Sequence, residues 1–423
     1  MKIACAPKSV TVPSGQDIRF QLFNERELPT QGEVAASMLK VIARLGLAPN
    51  QRAWDFLSIA LAVIAADETC PRGASADGWT RNIELTVAVS NPKQWVKHLP
   101  LLEHALGFLS TDRWTIKLID GGIYPKPKKP IELPEDCVCL LSGGVDSLIG
   151  ALDLKAAGRS PLLVSQIAKG DKAKQRELAQ LLGGNHFHLQ LNHNATPPKG
   201  YSERSQRARS LIFIAYGVLA ATSLDKYKKG ETVELYIPEN GFISLNIPLT
   251  PFRLASHSTR TTHPYYLSGL QDLFDATGIK VRLVNPYQFK TKGEMLRECK
   301  SQKQLKSVAG KTTSCGRFAR NAFKHCGRCV PCLIRRAAFQ SWSSDPTPQY
   351  KYAKLGTNDH AHSAFDDVRS MAMAVELVKR RGLDEWIGSG LAMLPHQDRA
   401  QYADVLSRGL KEISKLLRKE QVR

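Results

Sequence analysis

The stretch Cys137-Val-Cys-Leu-Leu-Ser-Gly-Gly-Val-Asp-Ser-Leu-Ile-Gly150 decides how this chain is read. An apolar run of strand length passes into Ser142-Gly143-Gly144 and then into a helix opening near Asp146-Ser147. Two glycines let the backbone turn sharply and bring bare N–H groups against an anion. Ser142 and Ser147 add hydroxyl donors, and the helix N-terminus adds its dipole. Ser142, Gly143, Gly144, Val145, Asp146 and Ser147 are therefore the candidate phosphate-binding residues. A carboxylate beside a phosphate is repelled unless it holds a cation, which makes Asp146 the expected Mg²⁺ contact. The loop lacks the Lys-Ser/Thr of a Walker A motif, and it is not the dinucleotide GxGxxG.

Outward from this loop, residues 131–344 alternate short β-rich runs with helical stretches. The runs are Cys137–Leu141, Leu162–Ile167, His186–Leu191, Val233–Ile237 and Val281–Val284, and the longest helical stretch is Glu203–Tyr227. That alternation predicts an α/β fold with a doubly wound parallel sheet, whose ligands bind at the carboxyl ends of the strands. Residues 1–130 read as a separate accessory α+β domain, with helices over Glu33–Leu47 and Gln51–Ala66 and strands at Ile83–Val89 and Trp114–Ile119. Tyr124-Pro-Lys-Pro-Lys-Lys-Pro130 can neither pair in a sheet nor continue a helix, and it reads as the linker. Residues 345–423 read as a helical extension, clearest over Phe365–Arg381 and Arg399–Lys419.

The chain has 423 residues, 59 Lys+Arg against 39 Asp+Glu, and nine cysteines. This length supports two or three domains, and a charged fraction of 23% with ordinary Gly and Pro counts excludes a disordered or collagen-like chain. No apolar run reaches the ~20 residues of a membrane span, and the start MKIACAPKSV lacks a signal-peptide core. A cytoplasmic protein with no membrane partner is expected, its cysteines serving as metal ligands or buried thiols rather than disulfides. Between Lys280 and Gln340 there are 15 basic residues and two acidic ones, Glu294 and Glu298. Such a window is either a solvated basic face or a site for nucleotide phosphates, RNA or an acidic partner.

Cys315, Cys326, Cys329 and Cys332 follow a C-x10-C-x2-C-x2-C spacing. A C-x2-C pair lets two thiolates reach one ion, and four sulfurs close the tetrahedral shell of a structural Zn²⁺ site at ~2.3 Å. An iron–sulfur cluster accepts the same four thiolates. Cys137 and Cys139 fall in the buried strand and read as core thiols, so no covalent cysteine intermediate is expected.

SGGVDS at 142–147 resembles the SGGxDS signature of the PP-loop ATP pyrophosphatases, which have the adenine nucleotide alpha hydrolase-like fold and split ATP into AMP and pyrophosphate. With the cysteine cluster it resembles the QueC family of 7-cyano-7-deazaguanine synthases. Arg209-Ser-Leu-Ile-Phe213 is similar to that family's RN-x-x-F, Lys292-Gly-Glu-Met295 to its K-x-E-I, and His325-Cys-Gly-Arg-Cys-Val-Pro-Cys-Leu-Ile-Arg335 with Ala338-Phe339 to its CGxCxxCxxRxxGF. The resemblance spans roughly residues 137–340. It implies a carboxylate of 7-carboxy-7-deazaguanine attacking the α-phosphorus of ATP, then capture of the acyl-adenylate by an amine. On this resemblance Lys292 lies on the phosphates, Glu294 shares the metal, and Arg209 contacts the nucleotide or the acyl-adenylate.

Where the family carries G-x-N-x-x-D-x-S-x-Y-P-D-C, this chain reads Ile237-Pro-Glu-Asn-Gly-Phe-Ile-Ser-Leu-Asn246 and then Ser258-Thr-Arg-Thr-Thr-His-Pro264. The family's Asp and Cys are absent, and Glu239, Asn240, Arg260 and His263 become the expected contacts to the 7-deazaguanine derivative or the incoming amine. With its added flanking domains the chain is similar to the long QueC-like proteins of bacterial anti-phage operons. That likeness implies an ATP-dependent ligase acting on a protein partner from the same operon. A synthase using ammonia and a nucleic-acid-modifying PP-loop enzyme are the alternatives.

Overall fold

Among the described residues, ten strands form two five-stranded sheets in which every neighbouring pair is parallel. The computed structural model describes residues 1–167, 172–182, 188–250, 260–342, 350–355 and 365–422. The first sheet holds β1 (Lys2–Ala6), β2 (Ile18–Leu22), β3 (Gly32–Val34), β4 (Asn82–Ala88) and β5 (Arg113–Ile119), in the order β3-β2-β1-β4-β5. The second holds β6 (Cys137–Leu140), β7 (Pro161–Gln166), β8 (His188–Leu191), β9 (Val233–Tyr236) and β10 (Val281–Val284), in the order β10-β9-β6-β7-β8. The second sheet is the doubly wound one that the strand–helix alternation predicts; β6 and β7 are buried along their whole length, whereas β8 and β9 alternate buried and half-buried positions.

The N-terminal residues depart from the expected α+β unit, since their sheet is wholly parallel. β1, β2 and β3 are only three to five residues long, and residues 7–17 and 23–31 connect them without an α-helix, so no periodicity announces them. The helix expected over Glu33–Leu47 is split. Its start is β3, the chain reverses at Ala35 with φ +56°, and the helix runs over Met38–Arg44.

The two sheets face each other across helices. Gln51–Thr69 of the N-terminal residues packs on Arg209–Ser223, and Leu99–Ser110 packs on Pro264–Thr277. Gln51–Thr69 is buried almost throughout, with Trp54, Phe56, Leu57, Ile59 and Leu61 at 0% exposure. One apolar core runs continuously from Ile3 in β1 to Val281 in β10. At ~1.5–3 kcal/mol for each large apolar side chain buried, this shared layer contributes substantially to the stability of both sheets. The Pro/Lys stretch is pinned rather than loose: the Tyr124 hydroxyl donates to Pro49 O, its ring meets Trp54 edge-on at 6.2 Å, and Ile131 N donates to Gly46 O at 3.0 Å.

The C-terminal helices Phe365–Arg381, Leu383–Ile387 and His396–Lys419 share a further core with Gly241–Leu245 and Val330–Ser341. Among the described residues no helix is long and apolar enough to cross a membrane.

Candidate functional site

In the second sheet the strand order reverses between β6 and β9, and the segments that follow these two strands meet there. This is the crevice in which open parallel sheets bind ligands. β6 delivers Ser142–Gly144 and the helix Val145–Ala156, whose N-cap is Gly144. Gly143 has φ +90°, a conformation that only glycine adopts without strain, and it turns the chain from strand to helix. Ser142 Oγ accepts from Gly144 N at 3.2 Å and lies 3.1 Å from Ser147 Oγ, which donates to Gly144 O at 3.0 Å. The serines hold the loop shape, and the first-turn N–H groups of the helix, Val145 included, form the anion-facing end.

β9 delivers Glu239 and Asn240. Asn240 donates to Asp146 Oδ2 from its side chain at 2.7 Å and from its backbone at 3.2 Å, and its Nδ2 also reaches Glu239 Oε1 at 2.8 Å. Its own Oδ1 accepts from Ile243 N at 3.0 Å and caps the helix Gly241–Leu245. Lys292, the first residue of the helix Lys292–Glu298, pairs with Asp146 Oδ1. Asp146 and Lys292 are 4% and 5% exposed. Burial raises the Asp146 carboxyl, but Lys292 and the donors around it outweigh that and hold it below the usual aspartate value. Glu239 moves the other way: burial first, and the Asp146 charge second, push its carboxyl well above the glutamate range. Asp146 and Glu239 thus present two carboxyl groups bridged by one amide, oxygen donors of the kind that would hold a divalent cation.

Of the residues expected at the site, Asp146, Lys292, Glu239 and Asn240 thus come together, spread over 146 positions of sequence. Glu294 does not join them. It closes a capping box with Thr291 and accepts from Arg408 Nε at 2.7 Å, contacts that fix the Lys292 helix. Arg209 is exposed at the first turn of Arg209–Ser223. Arg260 and His263 line a different space, a cleft of about 550 Å³ with Phe108, Ile247, Trp386 and Met393. Arg260 donates to Phe108 O at 2.8 Å and lies 4.5 Å above the Phe108 ring. His263 Nδ1 accepts from Tyr265 N at 3.2 Å and caps the helix Pro264–Thr277; burial, and then Arg260, lower its pKa to about 3. Helix Gly241–Leu245 joins the two spaces, Asn240 at one end and Leu245 in the cleft wall, over a length of ~7.5 Å. Ser258 lies outside the described residues.

The four cysteines are buried, and their sulfurs all lie within 4.8 Å of one another. Sγ–Sγ separations are 3.8 Å for Cys326–Cys332 and 3.9 Å for Cys329–Cys315. A tetrahedron with Zn–S bonds of ~2.3 Å has edges of about 3.8 Å, so the set is spaced for one ion and far from disulfide distance. Backbone N–H groups point at the sulfurs, Cys329 N to Cys326 Sγ at 3.2 Å and Cys326 N to Cys315 Sγ at 3.4 Å, as negatively charged thiolates require. Gly327, at φ +85°, makes the turn; a Cβ there would come within 2.6 Å of Tyr352 O. Cys137 and Cys139 lie at 0% exposure, with burial raising both thiols.

Three contributors have roles that the sequence reading did not assign to them. Thr313 N donates to Gly143 O at 2.8 Å, which ties the segment entering the cysteine knuckle to the phosphate loop. Arg335, fully buried, holds that segment through Thr312 Oγ1 at 2.8 Å, Ser314 Oγ at 3.1 Å and Ala309 O at 2.9 Å. Arg328 and Arg336 donate to Lys354 O and Ala353 O. Three of the fifteen basic residues in the window are therefore internal scaffolding, while nine of them are exposed. The third is the C-terminal helix His396–Lys419, whose Glu412 accepts from Thr291 Oγ1 at 2.7 Å and whose Arg408 holds Glu294.

A family model described as queuosine biosynthesis protein QueC matches residues 262–343, the stretch carrying His263, Lys292 and the four cysteines. Over that stretch the chain is QueC-like. No curated protein and no solved structure matches it.

Proposed function

We propose that the chain activates a 7-deazaguanine carboxylate with ATP and transfers the acyl group to an amine. The observation that carries this reading is the cluster of Asp146, Lys292, Asn240 and Glu239 at the point where the sheet order reverses, directly below a glycine turn built for an anion. The QueC match to residues 262–343 supplies the substrate class.

The triphosphate occupies the Ser142–Ser147 turn, with Lys292 turning from Asp146 to the phosphate oxygens. Asp146 and Glu239 are the oxygens available to Mg²⁺, which would neutralise charge on the phosphates. The substrate carboxylate attacks the α-phosphorus and pyrophosphate leaves; in the resulting mixed anhydride with AMP the acyl carbon is open to an amine, whose attack expels AMP. The chain's part is positioning and charge neutralisation, with no covalent protein intermediate.

The acceptor is assigned to a protein amine, in the manner of QatC, the QueC-like protein of the Qat anti-phage system. The support is the changed segment after β9 and the flanking domains, which ammonia chemistry does not need. A second reading, the amide or nitrile from ammonia, is favoured by the QueC match itself. Incubation with ATP, Mg²⁺, 7-carboxy-7-deazaguanine and the protein encoded next to this chain decides. A mass increase of one deazaguanine acyl group on that protein, with AMP and pyrophosphate released, is expected. Free nitrile with an unmodified protein would establish the second reading, and release of ADP would overturn both.

A further inference from the structure

Numbered within each unit, the strands of both sheets lie in the order 3-2-1-4-5. The helices between the third and fourth strands, Gln51–Thr69 and Arg209–Ser223, pack on each other. So do the helices between the fourth and fifth, Leu99–Ser110 and Pro264–Thr277. Each helix thus meets its own topological equivalent, which is the geometry of an isologous two-fold contact, here inside one chain. The units differ where a nucleotide would bind. β6 runs into SGGVDS and a helix, whereas β1 runs into Pro7-Lys-Ser-Val10, a glycine-free turn closed by Val10 N to Pro7 O at 3.0 Å. After β9, Asn240 donates to the phosphate-loop residue Asp146; after β4, Ser90 N and Asn91 N donate instead to Asp55, at 2.8 and 3.2 Å.

We infer that the N-terminal unit is a second, nucleotide-free copy of the phosphate-loop fold that holds the place of a partner subunit, and that its Phe108 completes the cleft receiving the heteroaromatic acid. Phe108 ends the helix Leu99–Ser110 and reaches across the two-fold contact. Its ring lies 4.9 Å from the His263 and Tyr265 rings and under the Arg260 guanidinium, and its carbonyl accepts from Arg260. Trp386 also lines the cleft, and its buried Nε1 has no hydrogen-bond partner among the described residues. With Nδ1 accepting from Tyr265 N, neutral His263 carries its proton on Nε2. A cleft lined by aromatic rings, a guanidinium and N–H donors suits a flat molecule bearing acceptors and a negative charge. An ammonium group would meet the Arg260 charge. The volume, about 550 Å³, suits a bicyclic ring. The cleft assignment rests on the proposed reaction; the duplication does not.

Calorimetric titration of the full chain with α,β-methylene-ATP and Mg²⁺ is expected to show one site per chain, and two sites would overturn the nucleotide-free copy. In the same mixture, binding of 7-carboxy-7-deazaguanine is expected to weaken at least fivefold in Phe108→Leu, which keeps apolar volume but removes the ring face. Affinity in Phe108→Leu equal to that of the unmodified chain would overturn the cleft assignment, as would failure of the unmodified chain to bind the acid. Pyrophosphate exchange driven by some other carboxylic acid would then show that the reaction type survives without this cleft.

Discussion

Asp146 and Lys292 form a nearly closed-off ion pair, and this decides how their substitution reads out. Removing one partner leaves the other charge buried and unpaired, a cost of about 3–5 kcal/mol. Asp146→Ala is therefore expected to lose both AMP formation and thermal stability, as seen by calorimetry. Asp146→Asn combined with Lys292→Met is expected to recover most of the stability and none of the activity. Full stability in Asp146→Ala would show that water or a mobile group replaces the carboxylate. The sequence pointed to both residues but not to their pairing, because contact across 146 positions is a property of the sheet order.

Two histidines give the chain an acid limit. His263 is held to about 3 and His188 to about 4, in both cases by burial first and a nearby arginine second. The unfolded chain takes up these protons near pH 6.5. Between that pH and the folded values the unfolded state binds more protons, so stability is lost as pH falls. The slope is up to about 1.4 kcal/mol per pH unit for each histidine. Chemical denaturation between pH 7 and 4 should show it, and His263→Gln should flatten the curve if this residue contributes as its environment requires.

Among the elements, the cysteine knuckle and the phosphate loop behave as one. Thr313 N–H on Gly143 O is the joint, and Arg335 grips the residues on either side of Thr313. Purified protein is expected to contain about one zinc per chain. Chelation should speed hydrogen exchange at the Thr313 amide as well as weaken ATP binding. Iron with sulfide on elemental analysis, or a Thr313 amide unaffected by chelation, would break this link. The spacing of the cysteines made the metal site legible, since three steps of sequence set the sulfur positions directly. Nothing in Thr312-Thr-Ser314 announced its role, because a backbone N–H donor is carried by every residue but proline. Glu294 carries a second signal that the metal reading passed over. A glutamate three residues into a helix serves as a metal ligand or as a cap, and Thr291 before it was the sign of the cap.

At the scale of the whole molecule the boundary near residue 130 is visible in sequence but is not a boundary in energy. Pro and Lys end the secondary structure there, while the core passes from one sheet to the other through helices whose apolar faces are supplied by both units. Gln51–Ala66 was readable as a helix, yet its burial on nearly every side was not, since periodicity cannot show what covers a face. Phe56 and Phe274 stand at the joint, one from each unit, edge to face at 5.1 Å. A Phe→Ala change at such a site costs about 3–5 kcal/mol. If the units fold separately, Phe56→Ala will lower the stability of the first sheet and leave pyrophosphate exchange to melt at its original temperature. If they share one core, circular dichroism and exchange activity will lose their midpoints together, by the same number of degrees. The continuous core from Ile3 to Val281 makes the second outcome the expected one, and the candidate crevice then depends on a residue 90 positions before Asp146.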